Sequence, residues 1–247
     1  MIRKLYSFRL FLVLIIILGM AGTLYGDETN TSSVLYQAGS FAILEKGEYS
    51  EVFSIDEMNR LGDFGVGGFE DMDGELLQLD GTVYQITIDG VVNTPPGDTG
   101  VCFGNTLKFT PESSYTIQET SSLEELNTII RESLPDPEQI YAVRVDGPFT
   151  NLSFRSIPSQ EEPYPPLSAV IDNQSVFHLV NATGTIAGFW FPEWMDGVNY
   201  AGFHLHFITD ARDAGGHILT AESGVTTLSI QEIDQLNLYL DYKNEEN

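Results

Sequence analysis

The feature that most restricts the fold of this chain is a series of short segments with strand-like alternation, separated by turn-forming residues. Residues 83–88 alternate in this way and end at Asp89-Gly90, a dipeptide typical of hairpin turns. Residues 141–145 and 151–157 flank Asp146-Gly147-Pro148 in the same manner, which predicts a second turn there. Because alternation with a period of about two residues lets one side of each segment be buried, the chain is predicted to be rich in β-strands.

Two helices are predicted among these strands. Ser54 and Glu57 have the spacing of a capping box, so a short helix should begin there and end near Gly62. Ser122 and Glu125 have the same spacing before an amphipathic stretch that Pro135 ends. The predicted fold class is therefore α+β, strand-rich, with a few short helices.

A proline-rich segment at 161–166 indicates a division of the chain. Pro163, Pro165 and Pro166 keep the backbone extended and exclude regular structure, so this segment is predicted to be a linker. It would separate an N-terminal β-rich subdomain, residues 27–160, from a C-terminal β subdomain, residues 167–247.

The first 26 residues have the pattern of an export signal. Arg3, Lys4 and Arg9 precede an apolar run at 10–20, and small residues follow before Asp27. We expect the protein to be exported, to the periplasm or the cell exterior. The alternative is that this segment stays uncleaved as an N-terminal anchor, and that would be the protein's only contact with a membrane.

Charge and cysteine content exclude two classes of function. The chain has 36 acidic and 11 basic side chains and a net charge of −25, so it repels phosphate backbones and nucleic acid is not expected as a partner. Cys102 is the single cysteine, which rules out an internal disulfide. Its apolar neighbours indicate a small buried side chain rather than a reactive thiol.

Three of the four histidines lie within a short stretch of the predicted C-terminal subdomain. His204 and His206 are two residues apart in a strand-like run, so both imidazoles should lie on one face. The polar segment 209–216, which ends in Gly215-Gly216, can turn the chain back, and this would bring His217 to the same place. Three neutral imidazoles with a vacant position form the catalytic zinc arrangement, so these residues are the predicted Zn²⁺ ligands. His178 is isolated on an apolar strand, and we interpret it as structural.

Around these histidines and elsewhere, the sequence resembles the bacterial acetolactate decarboxylases. The matches lie in order along nearly the whole chain after the signal, which makes them more specific than any single motif. They comprise residues 202–208 with 215–217, 62–67 with 73–75, 144–147 with Arg155, Gln160, Pro163, Tyr164 and 166–167, and 184–186 with 188–190.

The resemblance implies decarboxylation of 2-acetolactate (2-hydroxy-2-methyl-3-oxobutanoate), a small 2-hydroxy-3-oxo acid, to acetoin and carbon dioxide. It implies one zinc ion on the three histidines, stabilisation of an enediolate by that metal, and catalytic roles for Glu75 and Arg155. It also implies two subdomains built on mixed β-sheets, and a homodimer. Two departures stand out: Gly68 replaces a threonine usual in the family, and a glutamate near the family's C-terminus has only Glu245 or Glu246 as a counterpart.

Two other interpretations of the histidines remain open at this point. A cupin-like metal oxygenase also uses two histidines in this spacing, but a glutamate usually follows them, where this chain has Thr209 and Asp210. A non-catalytic extracellular zinc-binding module would bind the metal without releasing carbon dioxide.

Overall fold

The computed structural model describes residues 33–240. The predicted signal or anchor at 1–26 and the candidate residues Glu245 and Glu246 lie outside this range. Within it, no helix combines the length and apolar character needed to cross a bilayer.

The described residues form mostly strands with four short α-helices, which confirms the predicted α+β, strand-rich class. In chain order the strands are β1 (Val34–Ala38), β2 (Phe53–Ser54), β3 (Phe64–Phe69), β4 (Glu75–Leu79), β5 (Thr82–Ile86), β6 (Val92–Asn93), β7 (Gly100–Leu107), β8 (Ser113–Ile117), β9 (Ile140–Ser156), β10 (Ser175–Phe191), β11 (Gly202–Thr209), β12 (Gly215–Ser223), β13 (Thr226–Ile233) and β14 (Gln235–Tyr239). The helices are α1 (Phe41–Leu44), α2 (Ile55–Leu61), α3 (Leu123–Ser133) and α4 (Leu167–Ile171).

The strands form two sheets. The first has the order β14-β1-β7-β3-β4-β5-β6, with β2 paired to β7, and it is mixed because β1 and β14 are parallel. The second has the order β10-β11-β12-β9-β13-β8, and an additional β9–β10 pairing closes β9, β10, β11 and β12 into a ring. The sheets do not follow the predicted subdomain ranges, because β8 and β9 lie in the second sheet and β14 returns to the first.

The predicted linker at 161–166 packs against other parts of the fold. The ring of Tyr164 contacts that of Tyr49 at a centroid distance of 5.1 Å, and its hydroxyl donates to the Asp71 carboxylate. The Tyr49 hydroxyl donates to the Pro165 carbonyl at 2.8 Å. This segment therefore lies against the 3-10 turn Glu70–Met72 and leads directly into α4.

Local sequence signals set the helix ends. Ser54 and Glu57 form the predicted capping box at the start of α2. Ser122 caps α3 as expected, but the Glu125 carboxylate accepts from Ser121 instead, through both its backbone N–H and its hydroxyl at 2.8 Å. The second capping box is thus only half formed.

The predicted turn at Asp146-Gly147-Pro148 was wrong. Residues 140–156 form the single long strand β9, which changes partner at this point from β13 to β12 while β10 continues along its other edge. Gly147 has φ of +152°, and a Cβ there would lie 2.9 Å from Thr226 Cγ2. Glycine and proline therefore mark a change of strand partner here and not a reversal of the chain.

The second sheet is covered on both faces by apolar side chains. On one face it packs against α3, where Leu126 and Ile130 contact a cluster that includes Leu205 and Phe207. On the other face it packs against the first sheet in a second cluster; members are Phe64, Val66, Leu77, Ala142, Phe189 and Ile208. The side of β11 opposite Leu205 and Phe207 therefore faces the first sheet.

Candidate metal centre

The three predicted histidines come together on the face of the second sheet that points to the first sheet. His204 and His206 share this face of β11, and His217 on β12 is the register partner of His206. The ring centroids are separated by 5.0, 5.5 and 5.2 Å for the pairs 204–206, 204–217 and 206–217. One nitrogen from each ring lies within 4.8 Å of the others, a spacing that allows a single ion to contact all three.

The chain reverses between β11 and β12 within the polar segment 209–216, as predicted. Gly215 and Gly216 are strand residues, and the turn lies just before them, where the Thr209 hydroxyl donates to the Asp213 carboxylate at 2.7 Å. A Cβ at Gly216 would lie 2.2 Å from the Arg155 carbonyl oxygen. These glycines allow β12 to approach β9 and β11 closely, which places His217 in the site.

The hydrogen bond of His206 fixes its tautomer. Its Nδ1 lies 2.8 Å from the Leu76 carbonyl oxygen, and because a carbonyl only accepts, Nδ1 must carry the proton. Nε2 then has a free lone pair, which points toward Glu75 at 3.4 Å from Oε2. Leu76 therefore supplies the acceptor that orients the His206 imidazole, a role that sequence patterns did not identify.

Glu75 and Arg155 complete the polar end of the site from opposite sheets. Glu75 begins β4 in the first sheet, and Arg155 lies on β9 as the register partner of His217. Arg155 Nε is 3.7 Å from Glu75 Oε1, close enough for attraction but too long for a hydrogen bond. The two residues that family resemblance suggested are thus beside the histidines.

Burial determines the protonation of these groups. Burial raises the pKa of Glu75 to about 7, although the Arg155 charge opposes this change. Burial also lowers the pKa of His204 to about 4, and it lowers the pKa values of His206 and His217 well below their usual value. Neutral imidazoles are the form that binds metal ions.

Buried polar atoms without a partner are concentrated at this site. Among the described residues, four of the six such atoms are Glu75 Oε1, His204 Nδ1, His206 Nε2 and Arg155 Nε. Folded proteins rarely leave buried polar atoms unsatisfied. The lone pairs of Glu75, His204 and His206 fit a cation bound among them, and the N–H of Arg155 fits an anionic group beside it.

A cavity of about 330 Å³ opens onto this polar cluster. Glu75, Arg155, His204 and His217 form one part of its wall. The rest is mostly apolar and includes Phe41, Leu44, Met72, Phe103, Leu167 and Ile171. A small ligand with an acidic end and an alkyl portion matches this division.

Three further residues from the sequence analysis lie outside the cluster: Arg144 of the matched stretch 144–147, His178 and Cys102. Arg144 pairs with Asp80 and Asp146, each at 2.8 Å, in keeping with a structural role. His178 is exposed on β10. Cys102 is buried with its Sγ 3.0 Å from the Phe69 carbonyl oxygen, and burial raises the pKa of this thiol. The burial of Cys102 supports its interpretation as a packing residue.

Comparison with known proteins gives a consistent result. Residues 35–246 match the protein family described as alpha-acetolactate decarboxylase. The chain is 39% identical over 211 residues to the alpha-acetolactate decarboxylase of Methanosarcina mazei, covering 85% of this chain and 73% of the relative. It is 33% identical over 215 residues to that of Bacillus subtilis strain 168, covering 87% and 84%.

Solved structures show the same similarity. The crystal structure of the Bacillus subtilis strain 168 alpha-acetolactate decarboxylase superposes with a TM-score of 0.82 at 33% identity, covering 84% of this chain and 89% of that chain. A Staphylococcus aureus protein of unknown function, described as similar to alpha-acetolactate decarboxylase, superposes with a TM-score of 0.81 at 29% identity, covering 83% and 88%.

Proposed function

Because this chain belongs to the alpha-acetolactate decarboxylase family, we propose that its three clustered imidazoles hold a zinc ion with which it converts 2-acetolactate to acetoin and carbon dioxide. Family membership makes the protein a carboxy-lyase acting on a small molecule, and it argues against the cupin-like oxygenase. Zinc dependence and the roles of individual residues are the proposed part.

The observation that carries the zinc proposal is the cluster of three neutral imidazoles, in which His204 Nδ1 and His206 Nε2 are buried atoms without a hydrogen-bond partner. Catalytic zinc commonly takes three protein ligands and keeps one position for water or substrate. His204, His206 and His217 supply three nitrogens within reach of one point. The orientation of His206 by the Leu76 carbonyl is the kind of second contact that zinc-binding histidines usually have.

The protein's own residues account for the handling of charge and protons. When bound, zinc supplies a Lewis acid that stabilises the enediolate left as carbon dioxide departs. Arg155 is placed to hold the substrate carboxylate, since its Nε faces the site without a hydrogen-bond partner. As the carbon–carbon bond breaks, its electron pair moves toward the adjacent ketone.

Glu75 is placed to complete the reaction. Burial raises the pKa of Glu75 to about 7 in the metal-free protein, which lets its carboxyl group exchange a proton near neutral pH. It can therefore deliver a proton to the carbon that lost the carboxylate, which forms acetoin and balances the loss of carbon dioxide. The buried position of Glu75 keeps bulk water from competing in this step.

The direct test is a colour assay for acetoin after purified protein is mixed with acetolactate. We expect turnover that a chelator abolishes and added zinc restores. Zinc-loaded protein that releases no acetoin would instead indicate a non-catalytic zinc-binding module. Turnover that is unchanged after complete removal of metal would refute the zinc proposal.

Export and a homodimer are further proposals for the full chain. Mass determination of the protein recovered from cells would show whether the segment 1–26 is removed. Light scattering on the same sample would give its oligomeric state.

A further inference from the structure

Strand β3 contains three glycines, and one of them is not required by backbone crowding. A Cβ at Gly65 would lie 2.1 Å from the Asn105 carbonyl oxygen, and one at Gly67 would lie 2.2 Å from that of Phe103. At Gly68 the nearest atoms would be Met72 Sδ and Cε at 3.4 and 3.5 Å, which are ordinary contacts. The fold therefore has room for a side chain at position 68.

That room is part of the cavity beside the metal centre. Gly68 is the register partner of Glu75 on β4 and of Phe103 on β7. Directly opposed residues of antiparallel strands place their side chains on the same face. Glu75 and Phe103 both line the cavity, as does Gly68 itself. A side chain at 68 would thus enter the cavity between them, in front of Met72.

The contents of this space follow from the chemistry of its surroundings. The carboxylate, hydroxyl and ketone of a ketol acid need the polar groups Glu75, Arg155 and the imidazoles. The wall formed by Gly68, Met72 and Phe103 adjoins Glu75, and it offers an apolar surface along which an alkyl group can extend. The cavity volume of about 330 Å³ falls within the range that holds drug-sized ligands, which are larger than a short ketol acid.

We propose that Gly68 determines the size of the alkyl group admitted, and that the space in front of it lets the site accept the 2-propyl homologue of acetolactate. This inference rests on the proposed function. A methyl or isopropyl group at position 68 would fill the space that a longer alkyl chain occupies.

The test compares kcat/KM for acetolactate and its 2-propyl homologue in wild-type protein, Gly68→Ala and Gly68→Val, with carbon dioxide release as the common readout. In the wild type we expect the two substrates to differ by less than about 10-fold. In Gly68→Val the 2-propyl homologue should lose about 10- to 200-fold relative to acetolactate, the range for a poorly fitted alkyl group in a pocket. Gly68→Ala should give a smaller change in the same direction.

Gly104→Ala is the matched control. Gly104 is a buried strand glycine outside the cavity wall, and its added Cβ would lie 3.1 Å from Val101 Cγ1. The ratio of kcat/KM for acetolactate to that for the 2-propyl homologue in Gly104→Ala should equal the wild-type ratio. Rejection of the 2-propyl homologue by the wild type, or an equal loss for both substrates in Gly68→Val, would overturn the proposal.

A binding measurement covers the case in which a variant loses turnover. The 2-alkyl-2,3-dihydroxybutanoates lack the ketone and cannot decarboxylate, so calorimetry can compare their methyl and propyl forms in each protein. Selective weakening of the propyl form in the Gly68 variants supports the proposal, and equal weakening of both refutes it. Failure of the proposed function is distinguishable, because wild-type protein would then not convert acetolactate at all.

Discussion

Replacing His206 with alanine should remove the stabilisation that zinc gives to the folded protein. His206 is fully buried, and its Nε2 is a predicted zinc ligand held in place by the bond from Nδ1 to the Leu76 carbonyl. The substitution removes one of three nitrogens that lie within 4.8 Å of one another. The remaining imidazoles of His204 and His217, with the Glu75 carboxylate nearby, should bind zinc far more weakly than the three histidines together.

The expected rise in melting temperature on zinc binding follows from the linkage between metal binding and folding. Zinc at about 1,000 times its dissociation constant stabilises the folded state by about 4 kcal/mol. For a domain of this size each kcal/mol shifts the melting temperature by about 2–4 °C, so zinc should raise Tm by about 8–16 °C. In His206→Ala this increment should fall close to zero. The substitution itself should lower the metal-free Tm through a loss of about 0.5–3 kcal/mol, but that change affects the baseline and not the zinc increment.

Differential scanning calorimetry with and without zinc, after treatment with chelator, measures both quantities. His178→Ala is the control, because His178 is exposed and lies outside the cluster. It should keep the full zinc increment. A His206→Ala protein that binds one zinc per chain and shows the wild-type increment would refute the assignment of this residue as a ligand.

Three further substitutions test the rest of the site. Arg155→Ala should keep the zinc increment in Tm but lower kcat/KM by about 10- to 100-fold, since it removes a hydrogen bond to a charged group; unchanged steady-state kinetics would exclude Arg155 from substrate binding. Glu75→Gln cannot donate the carboxyl proton, so kcat should fall by about 10²- to 10⁴-fold while calorimetry still detects zinc; a near-wild-type kcat would place the proton elsewhere. Gly67→Ala should destabilise the fold by about 1–3 kcal/mol in urea titration, because its Cβ would lie 2.2 Å from the Phe103 carbonyl oxygen, and a neutral effect would contradict the crowding argument.

The parts of the fold that sequence predicted well depend on neighbouring residues. Period-two alternation placed His204 and His206 on one face, and the opposite residues Leu205 and Phe207 are indeed in the core. The capping box at Ser54 is likewise a signal contained in four consecutive residues. Such patterns act over a few residues, so they are readable without knowledge of the fold.

The errors and omissions involve contacts between distant segments. Gly147-Pro148 has the composition of a turn, but β9 continues through it because three other strands pair with it. Leu76 and His206 are 130 positions apart, and no local pattern indicates that the carbonyl of one orients the ring of the other. Glu75 follows Asp73-Gly74 and looks like a solvated turn residue, yet sheet packing buries it. Only family resemblance pointed to it.

The contact between the two sheets explains both the stability of the core and the chemistry of the site. The apolar layer that includes Leu77, Phe189 and Ile208 keeps water from the space between the sheets. The same burial raises the pKa of Glu75 and keeps the imidazoles neutral. Because the first sheet supplies Glu75 and the Leu76 carbonyl while the second supplies the histidines and Arg155, the complete site exists only when the sheets are packed. Metal affinity is therefore part of the folding free energy, so zinc-dependent melting reports on the assembly of the site even in variants that cannot turn over substrate.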